Sequence, residues 1–122
     1  MSRIGNLIVI DQVIDGGQMI ESDPAHYEML GRADSYTVQV YASNSGGTSP
    51  TITVTYQASN DGRSWITKQT LLSAVSISTT PYESMTDSTT NMVNGAQGKI
   101  TVQLGGTDPT AYVRIVICLR TE

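Results

Sequence analysis

The run Thr51–Ser59, "TITVTYQAS", alternates strictly with period two. Ile52, Val54, Tyr56 and Ala58 fall on one face, and Thr51, Thr53, Thr55 and Gln57 on the other. A helix would scatter these residues around its circumference, whereas a strand sorts them into an apolar and a polar face. β-branched residues on both faces strengthen the strand assignment. The segment therefore predicts a strand buried on one side only.

The same period recurs. In "SYTVQVYAS", Tyr36, Val38, Val40 and Ala42 oppose Thr37, Gln39 and Tyr41. In "KITVQL", Ile100, Val102 and Leu104 oppose Thr101 and Gln103. The last run, "AYVRIVICL", differs: Val113, Ile115, Ile117 and Leu119 form one face, but Val116 and Cys118 make the other largely apolar too. The first run, "LIVIDQVI", has the same two-sided look at its start. A strand apolar on both faces is central in a sheet or covered by a partner. The two terminal runs are thus expected to pair with each other or to meet another subunit.

Turn clusters separate these strands: "NSGGTSP" at 44–50, "NDG" at 60–62 and "GGTDP" at 105–109. Turn signals at this spacing, without a long helical pattern, predict an all-β antiparallel sandwich, jelly-roll-like. At most a short helix is expected near residues 24–30, with Asp23 as cap, Pro24 opening it and Gly31 closing it. The chain reads as one domain over 1–122, with 1–20 as an arm or first strands and 85–98 as a long loop. The expected core contains Val38, Val40, Ile52, Val54, Tyr56, Trp65, Ile100, Val102, Val113, Ile115 and Ile117.

Composition narrows the function classes. Charged residues make up 15% and the formal net charge is −4. The seven Lys and Arg are dispersed, so no basic stripe is present to attract nucleic-acid phosphate. No apolar run reaches the roughly 18 to 20 residues of a membrane-spanning helix. The N-terminal apolar run is broken by Asp11, Gln12 and Asp15, and no small-residue cleavage site follows, so no signal peptide is read. Neither nucleic acid nor membrane is expected as a partner.

Catalytic chemistry finds little to work with. Cys118 is the one cysteine and lies inside an apolar run, where it reads as a small buried hydrophobe. A catalytic thiol wants a base, and the one histidine, His26, is in a loop segment. Glu21, Asp23 and Glu28 lie near His26, but a single His among loop carboxylates reads as solvated surface rather than a metal site. No phosphate loop and no nucleophile–base order is found. The expectation is a non-enzyme without cofactor or metal.

The stretch "YQASNDGRSW", Tyr56–Trp65, is the most specific local signal. Asn60, Asp61 and Gly62 suit a hairpin turn that needs positive φ. Trp65 is then a packing anchor. The competing reading is a ligand-binding set of Asn60, Asp61 and Trp65, with the indole stacking on a sugar.

Ser59, Asp61, Gly62 and Trp65, with Tyr112, Val113 and Arg114, resemble two signatures of discoidin and galactose-binding-like jelly rolls: a Ser-x-Asp-Gly-x-x-Trp turn and a late Tyr-Val-Arg strand. The turn also resembles that of β-sandwich virion proteins of tailed phages, of capsid-decoration and tail type. Discoidin-type domains usually carry a secretion signal and a disulfide, and this chain departs from that pattern. The resemblance implies a structural virion component made in the host cytoplasm, forming homo-oligomers and contacting other virion proteins. The alternative it implies is a carbohydrate-binding jelly roll that takes glycans at the Asn60–Trp65 turn.

Overall fold

A computed structural model describes residues 2–78, 81–88 and 95–121, with side chains from residue 5 onward. Eight elements follow one another: β1 (Ser2–Asp15), β2 (Met19–Glu21), a 3-10 turn (Pro24–His26), α1 (Tyr27–Arg32), β3 (Ser35–Ser59), β4 (Ile66–Ser76), β5 (Tyr82–Asp87) and β6 (Gln97–Thr121). All strand pairs are antiparallel.

The framework is one long ribbon. β3 and β6 pair from Ser35↔Arg120 to Ser59↔Gln97. Fully extended, Tyr36 and Tyr56 on β3 would lie roughly 65 Å apart. Instead their rings stack with centroids 4.7 Å apart. The ribbon is therefore folded back on itself near its middle, and its two halves become the two layers of a sandwich. Sheet one is β1, β6 (110–121), β3 (35–44) and β5; sheet two is β2, β6 (97–105), β3 (51–59) and β4.

The fold line is built twice from one sequence pattern. Gly46–Pro50 reads Gly-Gly-Thr-Ser-Pro and Gly105–Pro109 reads Gly-Gly-Thr-Asp-Pro. Thr48 pairs with Thr107, so the two copies face each other across a local two-fold. Gly47 and Gly106 have φ of +99° and +101°, and Ser49 and Asp108 have +51° and +48°. A β-carbon on Gly47 would sit 2.7 Å from the Asp108 carbonyl oxygen, and one on Gly106 2.7 Å from that of Ser49. Only glycine combines that φ with that approach. Each closing proline also accepts a hydrogen bond: Pro50 from the Ile77 amide (3.0 Å), Pro109 from the Gly16 amide (2.8 Å).

The core lies between the layers, and the alternation read from the sequence fills it. Val38, Val40, Ile52, Val54, Tyr56, Ile100, Val102, Val113, Ile115 and Ile117 are all buried, joined by Tyr36, Leu104 and Leu119. Trp65 is the exception: it is half-buried and lies outside the core cluster. The two terminal runs pair with each other as expected, so β6 is central in sheet one and β1 is its edge.

The short helical segment is present. The Asp23 carboxylate accepts from the Ala25 amide (2.9 Å), and α1 then runs through Gly31 to Arg32. Gly31 is there for proximity rather than to end the helix: a β-carbon would meet the Ala96 carbonyl at 2.5 Å. α1 is pinned by the buried Tyr56 hydroxyl, which donates to the Leu30 carbonyl (2.7 Å). The long connection is shorter than 85–98, since β5 runs to Asp87 and β6 starts at Gln97; residues 89–94 of that stretch lie outside the described residues.

Candidate functional site

The Asn60–Trp65 corner is a six-residue connection rather than a two-residue hairpin, because β3 ends at Ser59 and β4 starts at Ile66. Side chains organise it. The Ser59 hydroxyl accepts from the amides of Asp61 (3.2 Å) and Gly62 (2.9 Å) and donates to Asp61 Oδ1 (3.0 Å). The same carboxylate oxygen accepts from the amides of Arg63 (2.8 Å) and Ser64 (2.9 Å). The Ser64 and Arg63 amides and the Ser59 hydroxyl together hold the Asp61 carboxyl below the usual carboxylate range. Asn60 Oδ1 accepts from the Ala96 amide (2.9 Å), tying the corner to the start of β6.

Asn60 and Asp61 line a shallow groove of about 420 Å3 with Ser64, Ile66 and Lys68. Trp65 does not line it. Its ring meets Tyr27 of α1 edge-on at 5.0 Å, and Lys99 Nζ lies 4.4 Å from its centroid. Lys99 is buried and also pairs with Glu21 of β2. Trp65 thus covers a charged group that would otherwise be exposed to water on that side. The fold brings Asn60 and Asp61 together and turns Trp65 to a different surface.

A second surface was not legible from the motifs. On sheet one, Val40, Ala42, Val113 and Ile115 point inward, so Tyr41, Tyr112, Arg114 and Val116 point outward. Strand register then aligns residues into rows across the sheet. One row is Asp11, Arg114, Tyr41 and Glu83; another is Ile8, Val116, Gln39 and Met85. Gln39, Tyr41, Glu83, Tyr112, Arg114 and Val116 line a groove of about 260 Å3. The tyrosine rings meet at 6.0 Å and 61°. Tyr112 donates its hydroxyl to Asp11 Oδ1 (2.5 Å), and that bond holds the phenol above its ordinary pKa. Alternation in "YVRIVICL" signalled that a second face exists, but only the pairing partners on β1, β3 and β5 show what it contains.

At one side of this face runs β1, an edge strand of 14 residues. Among the described residues it pairs with β6 alone. Ile8 is 50% and Val13 61% exposed. Cys118 is half-buried on the same outer face, in register with Asn6 and Thr37. His26 lies in the 3-10 turn. Among the described residues, no group of three or more His, Cys, Asp and Glu is placed to hold a metal ion.

By sequence, the chain matches no protein-family profile and no curated protein. By structure, it is similar to several β-sandwiches. The PBSX exported protein XepA aligns with a TM-score of 0.60 at 9% identity, over 96% of this chain and 37% of that one. VP2 of the infectious bursal disease virus subviral particle aligns at 0.54 and 10% identity, over 94% and 32%. The CBM22-1 xylan-binding domain of Paenibacillus barcinonensis Xyn10C aligns at 0.57 and 6% identity, over 97% and 98%. The chain spans about a third of the length of the first two and nearly all of the third. These likenesses establish a jelly-roll-like β-sandwich.

Proposed function

We propose that this chain is a non-catalytic structural component of a phage-like particle, of capsid-decoration or other head or tail type, that assembles through the edge of β1. The observation that carries this reading is a long edge strand whose outward side chains include exposed Ile8 and Val13. An edge of this length, without a second partner among the described residues, is a template for another strand, and soluble proteins usually blunt it. β1 has register shifts at Arg3/Gly5 and Ile8/Ile10 and exposed Asp11 and Asp15, but it carries no Lys or Pro and leaves Ile8 and Val13 exposed. Joining a neighbour there satisfies backbone amides and carbonyls and sets the neighbour's outward side chains beside Ile8 and Val13. The likeness to a virus protein that forms subviral particles supports the same reading at the level of fold. So does the resemblance of the Ser59–Trp65 turn to tailed-phage virion proteins. In this reading the partners are further copies of the chain and other virion proteins, and the site of action is the virion.

The test is compositional. Particles purified on a density gradient from cells that carry the gene should contain the chain in a constant ratio to the shell protein, by quantitative mass spectrometry. A chain left wholly in the particle-free fractions would contradict the reading.

A second reading, saccharide binding, is favoured by one observation: the outer face of sheet one holds a groove with two tyrosines and three polar side chains. The end-to-end likeness to a xylan-binding domain supports it. The two readings use different parts of the surface, since the groove is lined from β3, β5 and β6.

A further inference from the structure

We propose that the groove on the outer face of sheet one binds a neutral oligosaccharide laid across the strands, over Arg114, Tyr41 and Glu83. The proposal rests on the saccharide reading above and names its site and ligand class. It places the site away from the Asn60–Trp65 corner, where Asn60 Oδ1 and Asp61 Oδ1 already accept from backbone amides.

The geometry sets the shape of the ligand. The three residues sit in register on three neighbouring strands. Adjacent strands are roughly 4.8 Å apart, so these three span about 10 Å. A short linear run of sugar rings matches that length and direction. Tyr41 and Tyr112 supply apolar ring surface for the C–H faces of a sugar. The Gln39 amide, Glu83 carboxylate and Arg114 guanidinium supply donors and acceptors side by side, as neighbouring hydroxyls require. The site is also set before binding: the Tyr112 hydroxyl is held by Asp11, and Tyr41 packs against its ring. Pre-ordered side chains lower the entropic cost of binding.

Charge sets the chemistry. Arg114 makes no ion pair within 4 Å among the described residues, so its guanidinium is available to hydroxyls. It lies between Asp11 and Glu83 in the row, so two carboxylates flank one cation. A uronate would meet both carboxylates, and a cationic ligand would meet Arg114. A neutral hydroxylated ligand can use both Arg114 and Glu83.

The row also argues against a second copy packing face to face here, which leaves the β1 edge as the place for strand addition. A two-fold axis along the strands would set Asp11 over Glu83 of the other copy. An axis along the row would set every charge over itself. Both place acid against acid, which disfavours self-association.

The test is titration calorimetry with two ligand sets: neutral xylo-, cello- and manno-oligosaccharides, and oligogalacturonates. The full chain is compared with Tyr41→Ala, Tyr112→Phe, Arg114→Gln and, as a control at the corner groove, Asp61→Ala. Thermal unfolding shows that each variant is folded. The expected result is binding of a neutral oligosaccharide, weakened about tenfold or more by Tyr41→Ala and by Arg114→Gln. Tyr112→Phe should weaken it less, because the ring remains while its anchor to Asp11 is lost. Asp61→Ala should leave it unchanged. Saccharide binding that ignores Tyr41 and Arg114, or that selects oligogalacturonate, overturns this inference but leaves the saccharide reading standing. No binding to either set overturns both.

Discussion

Gly47 and Gly106 each press against the opposite strand of the central ribbon. A β-carbon on either would lie 2.7 Å from a backbone carbonyl oxygen of the other strand's Gly-Gly-Thr-Ser/Asp-Pro segment. Both glycines have φ near +100°. The bend that turns one ribbon into two layers thus depends on two residues without side chains, placed by the same short pattern. Gly47→Ala and Gly106→Ala should each cost about 2–3 kcal/mol, from backbone strain plus the clash. Urea unfolding measures this. A change within about 0.5 kcal/mol, the range of an ordinary surface substitution, would show that the bend tolerates a side chain.

One buried bond between helix α1 and the sandwich runs from the Tyr56 hydroxyl to the Leu30 carbonyl. Tyr56→Phe removes the donor and leaves a buried carbonyl unsatisfied, at a cost of about 1–3 kcal/mol. Gly98→Ala should act at the same place, because its β-carbon would sit 2.4 Å from the Tyr56 hydroxyl oxygen. Since both changes disturb one contact, the double variant should fall short of the sum of the two. Full additivity in chemical unfolding would mean that the two residues act separately.

The Asp61 carboxylate carries a pH dependence. The amides of Ser64 and Arg63 favour its charged form, so its folded pKa lies below its unfolded one. The stability it contributes is therefore fully present above the unfolded value and lost as pH falls through the folded value. Asp61→Asn should lower Tm at neutral pH, and the gap to the native chain should close as pH drops below about 3.9, the ordinary carboxylate range. A gap that stays constant from neutral to acidic pH would show that the charge contributes nothing.

Much of the fold was legible because period-two alternation reports directly on which side chains enter a core. The strands around Val40, Val54, Val102 and Ile115 are where the pattern places them. Burial of Trp65 was not legible, because its surroundings, Tyr27 and Lys99, come from distant parts of the chain. A large apolar ring that shields a lysine looks, in sequence, the same as one that fills a core. The repeated Gly-Gly-Thr-Ser/Asp-Pro pattern reads as turn punctuation and ends strands on paper. In the fold, both strands pass through it while still paired. Asn60 and Asp61 were recognisable as turn residues, but the row of Asp11, Arg114, Tyr41 and Glu83 depends on register across four strands. No local motif encodes that register.

The assembly role of β1 is tested most directly by sedimentation of the native chain and of the double variant Ile8→Asp, Val13→Asp. Both positions are exposed, so the isolated fold should survive with little change in Tm. The native chain should sediment as an oligomer, or together with purified particles, and the double variant should sediment as a monomer and stay free of them. A native chain that remains monomeric at high concentration and free of particles would contradict that role. So would a double variant that assembles as well as the native chain.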